Sequence, residues 1–191
     1  MKKKLKISIN APVTLGFTGL CLIATVLGMV SGGKITQTVF MTYRGSLLNP
    51  MTWLRLFTHV LGHGGLSHFL GNAALLLLLG PQLEEKYGPK TLIGVILITA
   101  VITGVVNMIF FPHTGLCGAS GVVFAFILLA SFTGFREGEI PLTFILVAVI
   151  YLGQEIYQGI FVNDNVSNMA HIVGGVTGGA AGYLLNRKAR H

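Results

Sequence analysis

Between residues 12 and 30 the chain carries no charged side chain, and comparable apolar runs return along the rest of its length. Such runs leave little choice of structure. In hydrocarbon every backbone N–H and C=O must be satisfied within the chain, and a continuous apolar run of this length does that as a helix. Proline, glycine and charge punctuate the sequence into six predicted spans: about 12–30, 66–83, 90–111, 120–135, 141–161 and 168–185. The expected fold class is an all-α membrane protein, a six-transmembrane-helix bundle in one domain over 12–186. A basic segment, 1–11, precedes it and a basic tail, 187–191, follows. The start resembles a secretory leader in outline. However, 12–30 is long for a leader's apolar core and no A-x-A cleavage site follows, so it reads as a span.

Charge decides the orientation. With the N-terminus inside, cytoplasmic segments hold Lys2, Lys3, Lys4, Lys6, Lys86, Lys90, Arg136, Arg187, Lys188 and Arg190, against Lys34, Arg44 and Arg55 outside. That asymmetry puts both termini in the cytoplasm, and the expected location is the plasma (inner) membrane. The net charge of +7 does not cluster with aromatics on a polar surface, so the bilayer, not nucleic acid, is its partner. Cys21 and Cys117 form no disulfide framework and read as free thiols.

The segment 31–65 is long for a connection in a compact membrane protein. Phe40, Met41, Trp53, Leu54, Leu56 and Phe57 beside Arg44 and Arg55 suit either a segment lying in the lipid interface or a packed outer loop.

Spans two, four and six run from outside to inside, so their beginnings share one depth. His63, His68 and Asn72 lie at the start of the second, Ser120 at the fourth, His171 at the sixth. His68 and Asn72 are four apart, hence on one helical face. Polar groups within a membrane are costly and point to function. Ala170, Gly174, Gly178 and Gly182 form a small-residue stripe beside His171, and Gly121 and Ala125 offer a matching face, so the two helices can approach closely. An imidazole and a hydroxyl need that approach for general-base catalysis. Ser120 is the expected nucleophile and His171 its base. No acidic residue is near enough in sequence for a third member. N–H groups at the start of span four, with Asn72 and His63, are the expected oxyanion donors.

The entry to span two (His63-Gly-Gly-Leu-Ser-His68-Phe-Leu-Gly-Asn72), Gly118-Ala119-Ser120-Gly121, and Ala170-His171 followed by Gly174 and Gly178 together resemble the rhomboid family of intramembrane serine proteases. The resemblance implies a bundle of rhomboid type in which Ser120 and His171 form the catalytic dyad. It matches His63 and Asn72 to the oxyanion side and His68 to the polar cavity. Segment 31–65 would be the membrane-embedded first loop and span five the lateral gate for a substrate transmembrane helix. Two departures stand out. Phe124 occupies the position of a tyrosine that stacks on the catalytic histidine, and Leu54 interrupts the usual Trp-Arg pair.

Gln154 and Glu155, with Tyr151 and Gln158, form a polar patch on span five, either bordering the cavity and gate or bonding between spans. A transporter is disfavoured because the inner halves of spans two and four, Leu75 to Leu79 and Phe126 to Leu129, are apolar, so the polar cavity dead-ends. A zinc site on His59 and His63 lacks the His-Glu-x-x-His pattern. A catalytically inactive relative that binds transmembrane helices is the remaining alternative. No cofactor, metal or nucleotide is expected.

Overall fold

Apolar runs bounded by Pro12, Pro50 and Pro89, each tolerated in a first helical turn, start three of the helices seen in the computed structural model. Residues 8–132, 139–140, 142–161 and 165–188 are described, without the side chains of 151–152, 154–161, 165–167 and 187–188. The Gln154 and Glu155 side chains, Arg136, Lys2, Lys3, Lys4, Lys6 and Arg190 thus lie outside the described residues. The helices are α1 (Pro12–Val30), α2 (Lys34–Val39), α3 (Pro50–Thr58), α4 (Leu66–Tyr87), α5 (Pro89–Phe110), α6 (Ser120–Ser131), α7 (Leu142–Phe161) and α8 (Asn165–Lys188). Among the described residues, α1, α4 and α5 are long and apolar enough to cross a membrane.

The charged triplet after Leu83, expected to close the second span, falls in the last turn of α4, which ends at Tyr87. Helix α4 contains Pro81, and Glu84 beyond it turns inward. Its carboxylate accepts the N–H groups of Val13 and Thr14 and the Thr14 hydroxyl, each at 2.9 Å. These are donors that the first turn of α1 cannot satisfy itself. One helix therefore caps another across about seventy residues of chain.

Helix α6 is buried on nearly every side, with Val122, Ala125, Phe126 and Leu129 at most 1% exposed. Its most extensive partner is α8. Gly174 of α8 meets the backbone of Gly121, Gly178 that of Ala125, and Gly182 the ring of Phe132. At Gly174 and Gly178 the small-residue stripe thus packs backbone on backbone, as lipid-embedded helices do when no side chain intervenes. Helix α7 packs against α8 and α6.

The expected long outer loop is partly helical. Asn49 caps α3 by accepting the Met51 N–H at 3.0 Å. Along α3 the exposed side chains are apolar (Trp53, Leu54, Phe57), while Arg55 is buried. The Arg55 Nε donates to the Thr38 carbonyl at 2.9 Å, and its guanidinium lies 4.4 Å above the Tyr43 ring. The extra residue between Trp53 and Arg55 accounts for this, since residues two apart on a helix face nearly opposite ways. An antiparallel bridge pairs Thr42 with Leu116 through bonds of 2.9 and 2.8 Å, tying this segment to the stretch before α6.

Candidate active site

The chain reaches α6 through Gly118, whose φ of 132° lies where only glycine is comfortable. A second constraint acts there. A Cβ at this position would lie 2.9 Å from Cε1 and 3.1 Å from Nε2 of His68, and 3.8 Å from Ser120 Oγ. Gly118 is the gap around which imidazole and hydroxyl converge.

Ser120, the first residue of α6, opens on a cavity of about 500 Å³. His68, Asn72 and Leu75 of α4, Cys117 and its neighbours from the preceding loop, Val123 and Phe124 of α6, and His171 of α8 line it. Three helices thus deliver their polar side chains to one space. His171 stacks flat on Phe124, ring centres 4.4 Å apart and planes 6° from parallel, so a phenyl ring occupies the stacking position. Asn72 is 7% exposed, and its Nδ2 has no hydrogen-bond partner among the described residues. A buried, unspent amide donor lining a cavity is costly unless something arrives to accept from it. Gly121 sits behind the serine, in the contact with α8.

His63 is one layer back and does not line the cavity. It is 3% exposed. Its Nδ1 lies 3.1 Å from the Leu61 carbonyl and 3.3 Å from Thr25 Oγ1, while Nε2 accepts the Ala119 N–H at 3.4 Å. A carbonyl partner requires the proton on Nδ1, which leaves Nε2 as an acceptor. In this arrangement His68, not His63, stands beside Asn72 at the cavity wall. The two rings meet edge to face at 5.0 Å. Burial, assisted by the neighbouring His68, pushes the His63 pKa down to about 4. His59, 1% exposed, is also pushed down to about 4 by burial. Its Nδ1 faces the Arg55 carbonyl at 3.0 Å and Nε2 faces Thr103 Oγ1 at 3.3 Å, so His59 and His63 point their Nε2 atoms at different partners. Burial likewise raises the Cys117 thiol.

Sequence spacing already put His68 and Asn72 on one face. It gave no signal for Cys117 as a wall residue beyond its position three before the serine. Nor did it signal the bond from Gly118 N–H to the His59 carbonyl at 2.9 Å.

Comparison with known proteins bears on the family of the chain. The Rhomboid domain profile matches residues 50–188. Rhomboid-related protein 2 of Mus musculus is 33% identical over 74% of this chain, which spans 53% of that relative. Rhomboid-related protein 1 of Caenorhabditis elegans is 34% identical over 69% of this chain and 39% of its own length. Rhomboid protease GlpG of Salmonella choleraesuis is 28% identical over 91% of this chain and 64% of its own. The chain thus spans between about two fifths and two thirds of these relatives. With most of its length under the domain profile and its polar residues gathered at one cavity, the chain belongs to the rhomboid family.

Proposed function

We propose that the protein is an intramembrane serine endopeptidase that cuts transmembrane segments of membrane proteins near their outer ends. The observation that carries this reading is the single cavity shared by Ser120 and His171, delivered by two helices packed backbone to backbone. His171 Nε2 takes the Ser120 proton as Oγ attacks the scissile carbonyl carbon, and the carbonyl π electrons move onto oxygen. Ser120 N–H, which as the first donor of α6 has no carbonyl in its own helix to meet, and Asn72 Nδ2 receive that oxyanion. His68 is the third donor by its position on the cavity wall. Collapse of the tetrahedral intermediate breaks the C–N bond, and His171 hands its proton to the leaving amine. Water, deprotonated by the same imidazole, then attacks the acyl carbon; the C–Oγ bond breaks, the acid is released, and the imidazolium returns its proton to Oγ. Phe124 holds the His171 ring in plane throughout.

The six-span topology, cytoplasmic termini and a cavity opening to the extracytoplasmic side of the plasma membrane belong to the same reading. So does α7 as lateral gate, its neighbours being α8 and α6. Gln154 and Glu155 belong to that helix and are the candidates for its polar lining. A substrate helix weakened by glycine, proline or polar residues yields an extended strand to the cavity, and a small residue before the cut suits the glycine-flanked serine. The test is cleavage of a single-span substrate with a labile outer end by protein in liposomes, with Ser120→Ala and His171→Ala in parallel. Loss in both variants at unchanged thermal stability supports the dyad. Cleavage that persists in Ser120→Ala removes the serine mechanism. An unreactive wild type with no fluorophosphonate labelling of Ser120 favours a helix-binding relative without protease activity.

A further inference from the structure

The loop before Ser120 does not hold its own shape. Gly118 is the residue with the widest choice of backbone conformations, and Ala119 at the start of α6 makes no side-chain cap. The Thr42–Leu116 bridge anchors its earlier part, and two further outside groups fix its last peptides: the His59 carbonyl takes the Gly118 N–H, and His63 Nε2 takes the Ala119 N–H. The His63 ring is held in turn. Its Nδ1–H lies between the Leu61 carbonyl and Thr25 Oγ1 on α1, while the Thr25 hydroxyl proton goes to the Cys21 carbonyl at 2.7 Å. Phe69 closes the ring's far edge at 5.6 Å. A chain of contacts therefore runs from α1 to the residue preceding the nucleophile, without touching the cavity.

Resting on the serine protease reading, we propose that His63 is a positioning residue. Its neutral Nδ1–H tautomer, steadied by Thr25, sets the Gly118–Ala119 peptide so that the next N–H and hydroxyl, those of Ser120, face the cavity. The alternative, His63 as an oxyanion donor, needs a proton on Nε2 and would turn two N–H groups against each other at Ala119. At 3.4 Å the bond to Ala119 is long and contributes little to stability. Its effect lies in placement, where a misalignment of about 1 Å costs on the order of a hundredfold in rate.

The experiment compares wild type, His63→Leu, His63→Gln and Thr25→Val in liposomes. It measures kcat and KM on a single-span substrate, the rate of Ser120 labelling by a fluorophosphonate, and the melting temperature. His63→Leu should lower kcat and the labelling rate together by about tenfold to a hundredfold, with KM within about twofold. Glutamine, whose amide oxygen restores an acceptor, should recover most of that loss, and Thr25→Val should show a smaller fall in the same two quantities. Wild-type kcat in His63→Leu overturns the proposal. Equal loss in the leucine and glutamine variants, tracking a lower melting temperature, overturns it in favour of a packing role. A wild type that neither cleaves nor labels at Ser120 instead removes the protease reading on which the proposal stands.

Discussion

Gly118 carries two independent demands, a positive φ and room for the His68 ring, and alanine meets neither. Gly118→Ala should abolish cleavage while leaving helix content intact, as read by substrate cleavage beside circular dichroism. Recovery of wild-type rates would mean that His68 has space to retreat. His59 and His63 make a different contribution. Both stay neutral in the fold down to about pH 4, against an ordinary value of 6.5. Between those values the unfolded chain binds more protons than the folded one, so stability rises with pH across the window and falls on acidification. Thermal melts from pH 7.5 to 4 should show that decline beginning near 6.5, and His59→Gln should flatten it. An unchanged slope in His59→Gln would remove His59 as a source. The spacing of His68 and Asn72 was legible in the sequence because four residues on a helix is a fixed geometry. The burial of His63 was not, because it depends on Thr25 and Ala119, distant in the chain.

At the scale of helices, α6 and α8 depend on glycine for approach rather than for flexibility. A methyl group at Gly174 would enter the backbone of Gly121, which has no rotamer to escape through. Gly174→Ala should cost at least about 1–3 kcal/mol, the usual penalty of overpacking, and should weaken cleavage by separating His171 from Ser120. Unfolding in detergent alongside activity checks both. The stripe was readable from its four-residue period. The cap on α1 was not, since nothing local marks Glu84 as the partner of Thr14. Glu84→Gln keeps the shape and removes the charge, and a loss of roughly 1–2 kcal/mol in the same melts is expected for hydrogen bonds to a buried carboxylate. A neutral result would mean water caps α1 equally well. The helices α2 and α3 were likewise hidden, because short helices held by Asn49, Arg55 and the Thr42–Leu116 bridge take their stability from tertiary partners.

Across the whole molecule, the polar cavity lies above apolar helix interiors, and its walls come from loop, α4, α6 and α8 together. Cys117 on that wall and Cys21, wholly buried on α1, form a built-in pair of reporters for sidedness. A membrane-impermeant thiol reagent added outside intact cells should modify Cys117 and spare Cys21. The rate should climb with pH because burial raises the Cys117 thiol. Labelling only after the cytoplasmic face is opened would reverse the orientation. Composition was enough to foresee a helical membrane protein, and span direction with the small-residue stripe to foresee polar residues meeting at one level, whereas the loop residues that complete the cavity wall, Thr114 to Cys117, emerged from long-range packing.

The backbone contact of Gly121 with Gly174 also bears on how the protein responds to its solvent. Bilayers of different thickness tilt helices and shift the ones that rest on side chains. Where two main chains touch, there is no compressible layer, and the residues just above, Ser120 and His171, keep their separation. In liposomes of graded acyl length, fluorophosphonate labelling of Ser120 should therefore stay level while turnover of a transmembrane substrate varies. On the proposed protease reading, that outcome would mean that the bilayer acts on how readily a substrate arrives and not on the reacting pair.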